Sequence, residues 1–436
     1  MLWVHGFGSI GTAVWLGLVG LLVLAQPRTR DRLQVLAVIA AGVFATYLAL
    51  RASSWLIPLN LLATFGLIAF AAVIPADRAV LQRPAMVICR YIGLFRLVEA
   101  AQWVLRPVDR LIAAQDRSRL RSVGIGLAIA VPVVFVLGSL LAAGDAVFSA
   151  ALTQIDVFDN AAMTAFYMAL GMTVTTTLML ATSRTWSSPT EPSRQFGATE
   201  ASIIAGSVAL LYSAFAISQA VATFGGVDPV LETAGLTRAE YARSGFFQLL
   251  YAAGLTLAVL LVLDRVRQPG HDRTFRSFAV VSSLLTVLVV AVSIDRLLTY
   301  VDDFGWTMLR LYTVLFAAWI GLLFVGLAFR FAGLTTLRTW YPVFVAVTGL
   351  IWLLGLNILN PEAFVARENL ATPEHTDASY LVQLSPDATP EIVEQLVTLS
   401  TEDRRLLIDH LCTDEDSSWL GNIGRARGHD AIAPRC

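Results

Sequence analysis

The chain has 436 residues and a formal net charge of −1; 56% of its residues are hydrophobic, 14% are charged, and its mean hydropathy is +0.68. A soluble domain contains about 45–50% apolar and about 25% charged residues, so this composition excludes a soluble protein of this length and predicts a polytopic membrane protein. All 31 basic residues are arginine, which excludes chemistry that needs a lysine side chain.

Ten apolar segments are long enough to cross a hydrocarbon core about 30 Å thick, which takes about 20 helical residues. The first segment is preceded by no arginine and followed by three, which is the wrong polarity for a cleaved signal peptide, so we expect it to remain as a helix. The predicted transmembrane helices cover residues 9–25, 33–50, 55–74, 123–143, 161–182, 201–224, 245–263, 277–298, 308–329 and 340–358.

Arginine is distributed very unequally between the two sides that this topology defines. The loops on one side carry 20 arginines and the short loops on the other side carry three. Because basic loops stay in the cytoplasm, the asymmetry predicts that both termini are extracytoplasmic.

Residues 78–122, on the predicted cytoplasmic side, are apolar but contain Arg83, Arg90, Arg96, Glu99 and Arg106, which would be costly in hydrocarbon. The polar side chains between residues 96 and 110 fall on one helical arc, so we predict an amphipathic helix in the membrane interface. Such a helix either contacts anionic membrane lipids or serves as a packing element and topology anchor.

The tail from residue 360 onward contains 14 acidic residues and six arginines, and it predicts a small water-soluble helical module. Thr389-Pro390 and Ser400 are typical helix starts. Cys412 and Cys436 could form a disulfide in an oxidising compartment or remain free. The predicted organisation is therefore a three-span segment (1–77), the interfacial helix (78–122), a seven-span core (123–359) and the extracytoplasmic tail (360–436).

Motifs for metal or cofactor binding are missing from the sequence. The three cysteines show no C-x-x-C spacing, the five histidines are scattered, and there is no P-loop, G-x-S-x-G or dinucleotide-binding motif. We expect no metal, no cofactor and no nucleic-acid partner.

Charged residues near the ends of the spans gather on the predicted outer side. Asp145 follows span four, Glu240 and Arg243 lie three residues apart before span seven, and Asp295 and Arg310 flank the turn between spans eight and nine. In one interpretation these groups form a structural ion-pair lattice, with Asp295 pairing with Arg310. In the other, arginines line a water-filled pocket that binds an anionic group, and a carboxylate there acts as acid or base.

Five segments on this side carry a family resemblance. They are GDAVFS (144–149), LTRAEYARSGFFQLL (236–250), LRLYTVLFAAWIG (309–321), NPEAFVARENL (360–370) and DASYLVQLSPDATP (377–390). Together they resemble bacterial polytopic membrane families known only as domains of unknown function, numbered 4153 and 4173. The resemblance implies a multi-pass protein of the bacterial cytoplasmic (inner) membrane without an agreed activity. It also implies that these families are built around Asp145, Glu240, Tyr241, Arg243, Arg310, Tyr312, Asn360, Arg367 and Asn369.

These observations lead to three functional hypotheses. The first is a non-enzymatic envelope protein whose outer charged layer binds a ligand or a membrane protein partner, for sensing or scaffolding. The second is a transferase or hydrolase acting on a lipid-linked anionic substrate, with Asp145 or Glu240 as base and Arg243 and Arg310 holding the anion. The third, a transporter, is disfavoured because the middle of the spans contains almost no ionisable residue.

A catalytic carboxylate should be free in a cleft, whereas a structural one should be engaged by arginine. The candidate ligand-binding residues are Asp145, Glu240, Arg243, Asp295, Arg310, Tyr312, Asn360 and Arg367.

Overall fold

The computed structural model describes residues 9–25, 32–73, 118–145, 147–149, 197–225, 245–267, 273–334, 340–372, 376–413 and 422–436. Within these ranges the secondary structure is helical and contains no β-strand. The prediction of an all-α polytopic membrane protein is confirmed.

Among the described residues, nine apolar helices occupy the positions of nine predicted spans. Seven are long and apolar enough to cross a membrane, and α1 and α3 contain the shorter apolar stretches Gly11–Leu21 and Leu56–Ala72. The predicted span 161–182 lies outside the described residues, as does the predicted interfacial helix up to residue 117. The helices are α1 (Ser9–Ala25), α2 (Arg32–Leu50), α3 (Leu56–Val73), α4 (Ser118–Gly144), α5 (Ala198–Gly225), α6 (Phe246–Val266), α7 (Arg273–Phe304), α8 (Met308–Ala332) and α9 (Trp340–Leu359).

Several helices are longer than predicted. Helix α7 has 32 residues because its charged first and last turns are helical as well, and residues 118–122, assigned above to the interfacial segment, form the first turns of α4. Hydropathy locates only the apolar part of a helix, whereas backbone hydrogen bonding continues beyond the hydrocarbon region.

The chain forms two compact units. The first comprises Met1–Arg83, Val301–Thr313 and Pro342–Cys436, and the second comprises Pro84–Tyr300 and Val314–Tyr341.

In the first unit, helices α1, α2 and α3 pack through small and aliphatic side chains, including Leu16, Ala41, Ala45 and Ile68. The tail has a separate hydrophobic core, in which Leu381, Ile392, Leu407 and Ile432 are buried. Its helices are α10 (Pro361–Ala371), α11 (Ala378–Leu381), α12 (Thr389–Gln395), α13 (Thr401–Thr413) and α14 (Ile423–Ile432). The two helix starts predicted at Thr389 and Ser400 are confirmed to within one residue.

A disulfide joins Cys412, near the end of α13, to Cys436. The sequence left open whether these two cysteines pair, and the structure contains the disulfide. It ties the segment that follows α14 to α13.

In the second unit, α4, α5 and α6 pack around Leu137, Tyr212, Phe215 and Leu249. The Tyr212 hydroxyl is satisfied by the Ala252 carbonyl (3.2 Å) and the Thr256 hydroxyl (2.7 Å).

The end of α4 meets the start of α6 at Gly144 and Gly245. Gly245 has a φ of 91°, and a Cβ on it would overlap the Gly144 carbonyl oxygen. Both the backbone conformation and the close approach therefore require glycine at residue 245.

Candidate functional site

The chain turns sharply between α9 and α10 at Asn360. Its φ of 53° and ψ of 77° lie in the left-handed region, which asparagine tolerates better than most residues, and Pro361 then starts α10. The Asn360 Nδ2 donates to the Asp387 carbonyl (3.2 Å), while its Oδ1 is buried without a hydrogen-bond partner among the described residues. A strained backbone beside an unsatisfied polar atom is a pointer to function.

Two carboxylates lie buried beside this corner. Glu362 is 2% exposed and accepts a hydrogen bond from the Ser385 backbone N–H. Asp387 accepts from the backbone N–H groups of Ala52 (2.8 Å) and Ser53 (3.1 Å) in the α2–α3 loop. Burial raises the pKa of the Asp387 carboxyl, and the hydrogen bond from Ala52 opposes this shift. Neither carboxylate forms an ion pair within the described part of the chain.

Two tyrosines complete the group. The Tyr312 ring stacks on Trp55 with 5.3 Å between ring centroids, and its hydroxyl is buried with no hydrogen-bond partner among the residues described. The Tyr380 hydroxyl accepts from the Met308 backbone N–H (2.8 Å). The Glu362 carboxylate lies within electrostatic reach of both phenols and of Asp387. We call Tyr312, Asn360, Glu362, Tyr380 and Asp387 the corner cluster.

Arg310 stabilises the turn between α7 and α8. Its Nη1 donates to the carbonyl oxygens of Phe304 (3.0 Å) and Gly305. These carbonyls lie at the end of α7, where backbone acceptors lack intrahelical partners, so a guanidinium satisfies them well. The prediction that Asp295 is the partner of Arg310 is wrong, since Arg310 bonds to the backbone of this turn instead.

The other two predicted residues near these helix ends lie at the surface. Asp295 is exposed and forms no ion pair within the described ranges. Arg367 is 51% exposed; it lies 3.6 Å from the Glu368 carboxylate and over the Phe364 ring. Neither residue is brought into the corner cluster by its observed contacts.

Asn369, one of the positions that the resemblance singled out, holds the α7–α8 turn from the tail. Its Oδ1 accepts from the Trp306 backbone N–H (2.7 Å), and its Nδ2 donates to the Trp306 carbonyl (2.8 Å). This two-way contact fixes the turn that precedes Tyr312.

Further amide and guanidinium contacts join the tail to the end of α2 and join α2, α3 and α9 to one another. Asn422 donates to the carbonyls of Leu48 (3.2 Å) and Arg51 (2.9 Å). Arg51 donates to the Asn357 carbonyl (3.0 Å), and the buried side chains of Asn60 and Asn357 bond reciprocally at 2.8 Å. The corner cluster is therefore held by segments that are distant in sequence.

Asp145, in the second unit, is fully engaged by an arginine. Its side chain pairs with Arg296, and both are buried. Arg296 also donates to the Gly144 carbonyl (2.7 Å), and Asp145 accepts from the Phe148 backbone N–H. The arrangement matches the structural interpretation of this carboxylate. The other predicted site residues, Glu240 and Arg243, lie outside the described residues.

The chain matches the model of a known family over most of its length. Residues 38–395 match the model of a family described as Domain of unknown function (DUF4153). The chain belongs to this family. The matched residues include the Asp145–Arg296 pair and the whole corner cluster, and the resemblance to family 4153 is confirmed. Neither a curated protein nor a solved structure matches the chain. The family description states no activity.

Glu362, Tyr380, Asp387 and Arg296 were not among the predicted site residues. Glu362 and Asp387 lie inside the family-like segments NPEAFVARENL and DASYLVQLSPDATP, and those segments were the available signal. The position of Asp387 beside Ala52, 335 residues away, could not be inferred from either segment.

Proposed function

We propose that this integral membrane protein binds a polar ligand at the corner cluster and serves as an envelope sensor or binding protein. The supporting observation is the Tyr312 hydroxyl, which is buried and unpaired among the described residues and lies within electrostatic reach of the buried Glu362 carboxylate. Buried polar groups are nearly always hydrogen-bonded, and an exception calls for an unobserved water, ion or ligand. The unsatisfied Asn360 Oδ1 adds a second group of this kind.

The chemistry of the cluster favours a ligand with hydrogen-bond donors. Glu362 and the Asn360 oxygen are acceptors, while the Tyr312 hydroxyl can donate or accept. Arg310 is occupied by backbone carbonyls and Arg51 by the Asn357 carbonyl. The cluster therefore suits a hydroxylated or ammonium-bearing ligand better than the anion expected above.

The enzymatic alternative receives less support from the described residues. Asp145, one of its two candidate bases, is paired with the buried Arg296. Arg310, one of its two anion-holding residues, stabilises the α7–α8 turn. Ligand binding without catalysis is therefore preferred. No particular observation favours the transporter.

A phenylalanine substitution at residue 312 tests the proposal. We expect Tyr312→Phe to keep the thermal stability of the purified protein, because it removes a hydroxyl that forms no hydrogen bond among the described residues. We also expect it to abolish the melting-temperature increase given by the best ligand in a panel of polyols, amino sugars and polyamines.

Tyr212→Phe is the matched control. Its hydroxyl has two partners, so the control should lose about 1 kcal/mol of stability and keep the response to the ligand. The proposal fails if no panel member stabilises the unmodified protein, or if Tyr312→Phe responds to the ligand as the unmodified protein does.

We further propose that the corner cluster and the tail face the extracytoplasmic side of a bacterial cytoplasmic membrane, with both termini on that side. The excess of arginine in the opposite loops supports this orientation. The Cys412–Cys436 disulfide adds independent support, because disulfides persist in oxidising compartments and are rare in the cytosol.

Thiol labelling of intact cells tests this orientation in a Cys89→Ser background. We expect a membrane-impermeant maleimide to label the protein only after treatment with an impermeant reductant, since both remaining cysteines are paired. Labelling that requires cell lysis even after reduction would place the tail in the cytoplasm.

A further inference from the structure

Arginines at the ends of α6 and α8 share a single carboxylate, that of Asp264. Asp264 Oδ2 accepts from Arg330 Nε (3.0 Å) and Nη2 (2.6 Å), and its Oδ1 accepts from Arg267 Nε and Nη2 (both 3.3 Å). The side chains of Asp264, Arg267 and Arg330 are 14%, 14% and 25% exposed. One negative charge thus serves two largely buried guanidinium groups.

Neighbouring residues fix these groups in place. The Arg267 guanidinium lies 4.9 Å from the centroid of the Phe275 ring, which is itself fully buried. Arg276 extends across the end of α8, where its Nη1 would lie 3.3 Å from a Cβ on Gly333. We call Asp264, Arg267, Arg276 and Arg330 the arginine cluster; its three arginines and one aspartate carry a net charge of +2.

The arginine cluster has more hydrogen-bond donors and more positive charge than the described residues pair with. Arg267 Nη1 is buried without a hydrogen-bond partner among them. Arg330 uses its Nε and Nη2 on Asp264, and Arg276 forms no ion pair in the described part of the chain. A partly buried charge without a counter-charge is costly, and among the described residues Asp264 alone does not balance the three arginines.

We propose that the arginine cluster binds the phosphate group of an anionic phospholipid. Planar guanidinium groups match phosphate oxygens in a bidentate geometry. The ends of apolar helices lie at the depth of the lipid headgroups, which makes a lipid the nearest source of phosphate. Exposed arginines would suffice for membrane orientation, whereas all three of these are partly buried, Arg267 and Arg330 share one carboxylate, and Arg267 stacks on a buried ring. This site is independent of the ligand proposed for the corner cluster.

Lipid titration of the purified, delipidated protein in detergent tests the proposal. Phosphatidylglycerol should raise the melting temperature in a saturable way, whereas phosphatidylcholine and inorganic phosphate at the same concentration should not. Arg276→Gln should weaken the apparent affinity for phosphatidylglycerol about tenfold, as expected for loss of one charge-assisted hydrogen bond. Arg427→Gln, at an exposed position in α14, removes the same charge elsewhere and should leave that affinity unchanged.

Asp264→Asn separates a phosphate site from a structural ion pair. We expect this variant to melt at a lower temperature without lipid, yet to bind phosphatidylglycerol several-fold more tightly, because the competing carboxylate is gone. Equal effects of the two lipids, equal losses in Arg276→Gln and Arg427→Gln, or no gain of affinity in Asp264→Asn would each overturn the lipid site. A shift with inorganic phosphate as large as that with phosphatidylglycerol would support the phosphate chemistry but overturn the lipid as its source.

Discussion

Replacing Asp145 by alanine is expected to lower the free energy of unfolding by about 3–5 kcal/mol, the usual cost of breaking a buried ion pair from one side. Arg296 would remain 6% exposed without its carboxylate. Its hydrogen bonds to the Gly144 carbonyl and the Gln219 side-chain oxygen are made to neutral acceptors, which do not replace the lost charge. Unfolding of the purified protein by sodium dodecyl sulfate in mixed micelles would measure the loss.

Asp295→Ala is the control for this prediction, because Asp295 adjoins Arg296 but is exposed. It should change stability by less than about 0.5 kcal/mol. If Asp145→Ala unfolds at the same detergent fraction as the unmodified protein, the pair is not structural. Asp145 would then return as a candidate acid or base.

Gly245→Ala is expected to destabilise the second unit by about 2–5 kcal/mol, the combined cost of a left-handed non-glycine residue and of overpacking. The added methyl group would meet the backbone of Gly144, which cannot rotate away as a flexible side chain would. The same unfolding assay measures the effect, and retained stability would contradict the close contact between α4 and α6.

Gly254→Ala in the same helix should have the opposite effect. No atom lies within 4 Å of a Cβ at this position, so the substitution should gain about 0.5–1 kcal/mol from the lower backbone entropy of alanine. A loss of stability in both variants would show that alanine is destabilising at residue 254 as well. The requirement for glycine would then not be specific to residue 245.

The fold was largely predictable from hydropathy, because a bilayer requires long apolar helices and leaves few alternatives. Nine predicted spans coincide with described helices, and the proline and serine signals located α12 and α13. Helix ends were less predictable. The charged turns of α7 could equally have been loops, and only hydrogen bonding distinguishes the two.

Residues of the candidate site were predictable only where they lie in a recognisable local sequence pattern. Asn360 and Tyr312 were found through family-like segments, whereas the pairing of Arg310 was mistaken because an exposed carboxylate and a helix end compete for the same guanidinium. Asp295 was chosen as a candidate site residue and its neighbour Arg296 was not. A one-residue step on a helix rotates a side chain by about 100°, so without packing information the sequence does not decide which of two adjacent charges faces inward.

The hydrogen bonds that Asp387 and Asn422 make to residues 48–53 also have a consequence for biosynthesis. The amides of Ala52 and Ser53 are made early in translation, yet their acceptor on Asp387 emerges from the ribosome 335 residues later. Until then, the first hairpin must rely on water or on a chaperone to satisfy these groups. Maturation of α2 and α3 therefore waits for synthesis of the tail.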